Sequence, residues 1–148
     1  VQQFRLPTMI DAWTGEPDFW RDGIFLELMA GACDRTERPM ETFIREASEE
    51  TGADLAANDV ELIASFYPSP GACSEQIHLF YARLRSAPTK GALHGIGKNE
   101  EIRRVDFSAR QFLEQVARNE IHDAKALIAA GWMMRNRAYF CDTFERPD

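Results

Sequence analysis

Glu46, Glu49 and Glu50 crowd together in "REASEETG", the stretch from Arg45 to Gly52. Glu46 and Glu50 are one helical turn apart, and like charges at that spacing destabilise a helix by roughly 0.2–0.5 kcal/mol per pair. A solvated acidic face would tolerate the repulsion. A hard divalent cation would reverse it, because Mg2+ favours carboxylate oxygens together with retained water. Such an ion would remove the repulsion, and a bound ion can lower the pKa of a water it holds. The spacing therefore points to a divalent cation that the sequence itself does not show.

A helix has to carry these acids. Pro39 suits a first helical turn and Gly52 a C-terminal stop, so a helix is predicted between them. Met40, Phe43, Ile44, Ala47 and Thr51 recur at helical spacing and form one face for the core. Glu46, Glu49 and Glu50 are expected on the opposite side. Upstream, "VQQFRL" and residues 24–30 read as strands, with "VQQFRL" suited to the middle of a sheet. The connector between them is punctuated by Pro7, Gly15, Pro17 and Gly23.

Downstream, residues 60–67 and 76–84 read as strands split by the turn-rich "PSPGACSE". The glycine-rich "APTKGALHGIGKNE" has no hydrophobic period and is expected to be a long mobile loop, a type that usually carries function or is disordered. "EIRRVDF" reads as a further strand. Ser108 caps a predicted helix over 109–118, and Asp123 caps a last one from 124 to about 140. Strands interleaved with helices place the chain in the α/β class.

The 148 residues fit a single domain. With 45% hydrophobic and 28% charged residues the composition is that of an ordinary soluble globular protein. A net charge of −7 argues against a general electrostatic grip on nucleic acid or an anionic membrane. The apolar run "ALIAAGWMM" is too short to span a bilayer. Cys33, Cys73 and Cys141 are odd in number and have no zinc-type spacing, which fits a reduced cytoplasmic compartment.

Extended backward, the acidic stretch becomes a spaced pattern: Gly31, five residues, Glu37, seven residues, then Arg45, Glu46, Glu49, Glu50 and Gly52. At background frequencies, seven such coincidences at one start point have odds of about one in 10^8. The pattern resembles the Nudix box, Gx5Ex7REUxEExGU, with Ala47 and Ala53 in the hydrophobic slots. "SPGACSE", "HGIGKNEEIRR" and "NEIHDAKALIAAGWM" resemble segments of bacterial ADP-ribose pyrophosphatases.

The resemblance implies an α/β/α sandwich with a mixed sheet and dependence on Mg2+, with Mn2+ as the alternative. It implies that Glu46, Glu50 and the Ala30 carbonyl hold metal, with Glu49 a further ligand through water or a supporting acid. Glu37 and Arg45 would pair to fix the loop before the helix, between the structural glycines Gly31 and Gly52. A loop glutamate is expected to activate water or add a metal ligand. Glu100 is the first candidate and Glu101 the second, because the loop reads one residue shorter than the acidic form and Lys98 stands near an expected acid. Arg5 would meet the diphosphate, and Ser69 and Glu75 the ribose or adenine side, though "SPG" can equally be a plain turn.

The expected reaction is hydrolysis of ADP-ribose to AMP and ribose 5-phosphate. The alternatives are a GDP-mannose or other nucleotide-sugar pyrophosphatase and a noncatalytic Nudix module that binds ADP-ribose or NAD-type ligands. "HGIGKNEEIR" favours ADP-ribose over GDP-mannose, and the intact box counts against the binding module. The resemblance also implies strands ahead of "QFRL", often exchanged between the subunits of a homodimer. The chain starts at Val1 without Met and is expected to lack them.

Overall fold

Pro39 opens the first helix, α1 (Pro39–Thr51), and the Glu41 carboxylate accepts from the Arg38 N–H at 2.9 Å just before it. Gly52 ends α1 in the left-handed region at φ 70°, where its N–H reaches the Ser48 carbonyl at 2.9 Å. A side chain with a Cβ is disfavoured in that conformation, so a glycine belongs there. This computed structural model describes residues 2–4, 24–84 and 102–137, with backbone only at 2–4, 24–25 and 102–103.

Strands β1 (Gln2–Phe4) and β2 (Ile24–Leu26) pair antiparallel, and β1 pairs on its other side with β5 (Ile102–Arg103). The order β2–β1–β5 puts "QQF" at the centre of that sheet. β3 (Val60–Phe66) and β4 (Ile77–Ala82) form an antiparallel hairpin, entered through a 3-10 turn over Ala57–Asp59. A bulge between Leu62 and Ala64 shifts its register. All pairings among the described residues are antiparallel, so the parallel component of the expected mixed sheet is not among them.

Helix α2 (Ala109–Ala117) starts with a reciprocal cap: Ser108 Oγ accepts from the Gln111 N–H, and Gln111 Oε1 accepts from the Ser108 N–H. Helix α3 (Ala124–Arg135) starts at Asp123, whose carboxylate accepts from the N–H groups of Lys125 and Ala126. It stops short of the expected end near 140. The Asn136 side-chain amide bonds the Trp132 carbonyl at 2.9 Å, a local alternative to another helical turn.

Successive strand residues point to opposite faces, and on β4 both faces are used. Phe80 meets Phe43 of α1 with ring centroids 5.2 Å apart. Its neighbour Tyr81 meets Trp132 of α3, also at 5.2 Å. On the α1 side, Ala47, Ala53 and Leu55 are buried, with Met29, Phe43, Ile44, Val60 and Ala82 packed around them. Ile121, Ala126 and Ala130 are buried as well.

Two predicted strands are shorter than their apolar runs. Residues 27–30 leave the ladder after Leu26, and the Leu28 N–H donates to Asp123 Oδ2 instead of to a strand. Residues 104–107 follow the two-residue β5 without a ladder. There Arg104 turns back, giving Nη1 to the Thr51 carbonyl at the end of α1 and its fork to Asp106. No helix among the described residues is long and apolar enough to cross a membrane.

Candidate active site

The loop before α1 is held by its own polar groups. Asp34 accepts from the Thr36 N–H and hydroxyl, and the Glu37 N–H closes onto the Asp34 carbonyl. That turn delivers the Glu37 carboxylate to Arg45 two turns into the helix. Arg45 Nε and Nη2 each lie 3.2 Å from a separate Glu37 oxygen, a fork-on-fork pair. Glu37 and Arg45 are thus paired through both carboxylate oxygens.

Arg45 does more than fix the loop. Its Nη1 reaches Glu46 Oε1 at 2.8 Å and Glu49 Oε2 at 3.0 Å, so one guanidinium touches three carboxylates. These bonds, first the one to Glu37 and then the one to Glu46, raise the Arg45 pKa further above its already high value. The bond from Arg45, followed by the one from Thr42, holds the Glu37 carboxyl below the usual carboxylate range.

Thr42 is a partner of the box that the spaced pattern does not include. It is buried, and its hydroxyl donates to Glu37 Oε2 at 2.9 Å. Its position one turn before Glu46, off the apolar stripe, was the available signal.

Gly31 makes room for Glu46. A Cβ built at residue 31 would collide with the Glu46 carboxylate group, so the box glycine permits a close approach of side chain to loop. Glu46 is thereby placed against the loop at the residue after Ala30.

The expectation that all three acids lie on a solvated face needs correction. Glu49 is half-exposed, but Glu50 is buried at 8% exposure. At 100° per residue Glu50 falls on the shoulder of the apolar stripe, near Phe43, rather than opposite it.

A cleft of about 1380 Å³ is lined by Ala30, Gly31, Glu46 and Glu75, among others, and also by Cys33, Thr42, His78 and Lys125. Glu49, Glu50 and Ser69 are not in that lining. Ser69 is exposed in the β3–β4 turn, and its carbonyl accepts from the N–H groups of Ala72 and Cys73. The turn role of "SPG" is thus visible in the structure. Arg5, Glu100 and Glu101 lie outside the described residues, as does the glycine-rich loop from 87 to 100.

Among the described residues no group of three or more His, Cys, Asp or Glu side chains is gathered for a metal ion. Glu46 turns to Arg45 while Glu50 packs inward. The donor set nevertheless has the right chemistry for a hard cation, with carboxylate oxygens on adjacent helical turns beside a loop that a glycine opens.

These carboxylates stand on a loop–helix–loop unit set on an α/β scaffold. The profile of the NUDIX domain matches residues 11–129, and the chain belongs to that family. It is 30% identical over 131 residues to an ADP-ribose pyrophosphatase of Haemophilus influenzae, an alignment covering 88% of this chain and 59% of that protein. It is 34% identical over 128 residues to a GDP-mannose pyrophosphatase of Cronobacter sakazakii, covering 86% and 61%. A GDP-mannose pyrophosphatase of Salmonella typhimurium is 32% identical over 133 residues, covering 90% and 64%. The chain therefore spans about three fifths of the length of these relatives.

Proposed function

We propose that the chain hydrolyses the pyrophosphate bond of a nucleoside diphosphate linked to a sugar, giving a nucleoside monophosphate and a sugar phosphate. The observation that carries this reading is the box itself, with Arg45 tying Glu37, Glu46 and Glu49 together and Gly31 opened to Glu46. GDP-mannose or a related nucleotide sugar stands ahead of ADP-ribose. Relatives named for GDP-mannose share 32–34% identity, and one named for ADP-ribose shares 30%. This reverses the order expected from "HGIGKNEEIR". An α/β/α sandwich fits the use of both β4 faces, by α1 and by α3.

Glu46, Glu50 and the Ala30 carbonyl would hold Mg2+ or Mn2+, with Glu49 in support. When bound, the ion supplies charge stabilisation on the diphosphate and acidifies a water. Glu100, or Glu101 in its place, takes the proton from the attacking water. Arg5 holds the diphosphate, and Glu75 and Ser69 contact the sugar or base. Glu75 is supported in that role by lining the same cleft as Glu46. A homodimer and a cytoplasmic setting complete the proposal, the latter in keeping with the free thiols of Cys33 and Cys73.

A panel of GDP-mannose, ADP-ribose and other nucleotide sugars, incubated with Mg2+ or Mn2+ and followed by phosphorus NMR, tests the reading. Cleavage between the two phosphates of at least one compound is expected, fastest for a nucleotide sugar. If every compound survives at millimolar metal, the chain is not a pyrophosphatase of this class.

A further inference from the structure

Residues 27–30 have an exposed duty and weak local support. They lead directly to Ala30 and Gly31, yet the β2 ladder that could hold them stops at Leu26. A segment that leaves its sheet needs another partner for its backbone donors. Here the partner comes from about a hundred residues along the chain. Asp123 Oδ2 accepts from the Leu28 N–H at 3.3 Å. Lys125 Nζ lies 2.7 Å from Asp123 Oδ1 and 3.4 Å from Glu27 Oε2. Asp123, Glu27 and Lys125 have side chains only 6%, 10% and 20% exposed, and all three line the same cleft as Glu46.

We propose that Asp123 and Lys125 are positioning residues, which clamp Glu27 and Leu28 so that the following Ala30 carbonyl and Gly31 meet Glu46 in register. The inference rests on the proposed reading of Ala30 and Glu46 as metal-holding groups.

The chemistry suits a clamp better than a plain helix cap. Capping α3 needs one side-chain oxygen, and Asn or Ser would serve about as well as Asp. Each Asp123 oxygen does more than cap: Oδ2 takes the Leu28 N–H besides that of Ala126, and Oδ1 takes the Lys125 ammonium besides the Lys125 N–H. Lys125 sits between two poorly exposed carboxylates, so it is held in place by charge from both elements. Buried charges are retained only when paired in this way. Groups that orient a ligand without touching the ion change metal affinity or activity by about 10–100-fold when lost.

The test replaces Asp123 by Ser, which keeps a cap and removes the reach to Leu28 and Lys125. Lys125→Met, which removes the tie between Asp123 and Glu27, serves as the second variant if Asp123→Ser does not fold. Amide hydrogen exchange of the whole chain should speed up locally at 27–31 and stay unchanged in the body of α3. Binding of Mn2+ alone, read by electron paramagnetic resonance, should weaken about 10–100-fold. The clamp is overturned if exchange at 27–31 is unchanged, if the change spreads through α3 and the core, or if Mn2+ affinity matches that of the unaltered chain. Failure of the underlying reading looks different: the unaltered chain would then neither take up Mn2+ nor cleave any compound, while the exchange result would still report on the clamp.

Discussion

Replacing Gly31 by alanine should separate the placing of the acids from the folding of the helix that bears them. Gly31 is not in the left-handed region, so its backbone can accept a Cβ; among the described glycines only Gly52 has a positive φ. Reduced freedom of the unfolded chain would then stabilise Gly31→Ala by about 0.4–1 kcal/mol. The new Cβ would overlap the Glu46 carboxylate and Cγ, so the whole of that flexible side chain has to swing aside. Forcing that side chain off its rotamer costs about 0.5–1.5 kcal/mol. The two effects nearly cancel, leaving the melting temperature within about 2–4 °C of its starting value.

The effect on chemistry should be much larger. The carboxylate must retreat by roughly an ångström or more, off Arg45 and away from Ala30, and misplacement on that scale can lower a rate about 10²-fold.

Gly52→Ala should do the opposite. At φ 70° with open space around it, an added Cβ meets no neighbour but pays the left-handed penalty of about 1–2 kcal/mol. A fall in melting temperature of about 2–8 °C follows. Thermal melts of both variants, with Mn2+ uptake and hydrolysis measured on the same samples, decide the matter. The reasoning is refuted if Gly31→Ala keeps full metal uptake and rate, or if it melts as low as Gly52→Ala.

Glu50→Gln should lower turnover strongly with little change in fold, because a neutral amide is a poor ligand for a hard cation. It should also blunt the rise in melting temperature that millimolar Mg2+ or Mn2+ gives the unaltered chain, which mass action sets at about 2.7 kcal/mol for a hundredfold excess over Kd. Acidification gives a separate check, since a carboxyl held below its usual 4.5 contributes stability above that pH and loses it as pH falls through the lower folded value. Urea midpoints from pH 6 to 3 should therefore show an acid limb below about 4.5 that shrinks in Arg45→Met, the partner that depresses Glu37. Glu100→Gln should lower kcat by about 10²–10⁴ with little change in substrate affinity, and Glu101→Gln should be mild. If the two effects are swapped, Glu101 is the base.

The box was legible because its chemistry is local. Pro39, the apolar stripe and Gly52 each act within a turn or two of their own position, and α1 begins and ends where they place it. The caps at Ser108 and Asp123 were legible for the same reason. What escaped depends on partners distant in sequence. The run at 24–30 has the composition of a strand throughout, but Leu28 bonds to Asp123 and the ladder ends at Leu26. Arg104 likewise leaves its strand pattern for Asp106 and the end of α1. Glu50 is buried because a helix is not simply two faces: 100° steps leave a shoulder between them.

The repulsion among the helix acids is answered in two ways. Before any ion is present, the chain supplies a cation of its own, because Arg45 reaches Glu46 and Glu49 while its fork is anchored on Glu37. A lysine could not do this, since a point charge lacks the planar fork that meets two oxygens of one carboxylate while a third N–H serves its neighbours. Yet one guanidinium against three carboxylates leaves a surplus of negative charge, and Glu50 adds a fourth carboxyl in a poorly hydrated position. An arriving divalent ion would relieve that surplus and would compete with Arg45 Nη1 for Glu46. The anchoring bonds to Glu37 use different nitrogens, Nε and Nη2, so the loop can stay tied while Nη1 is released. That division of labour within a single side chain gives a physical reason for an arginine to stand beside the first acid of the box.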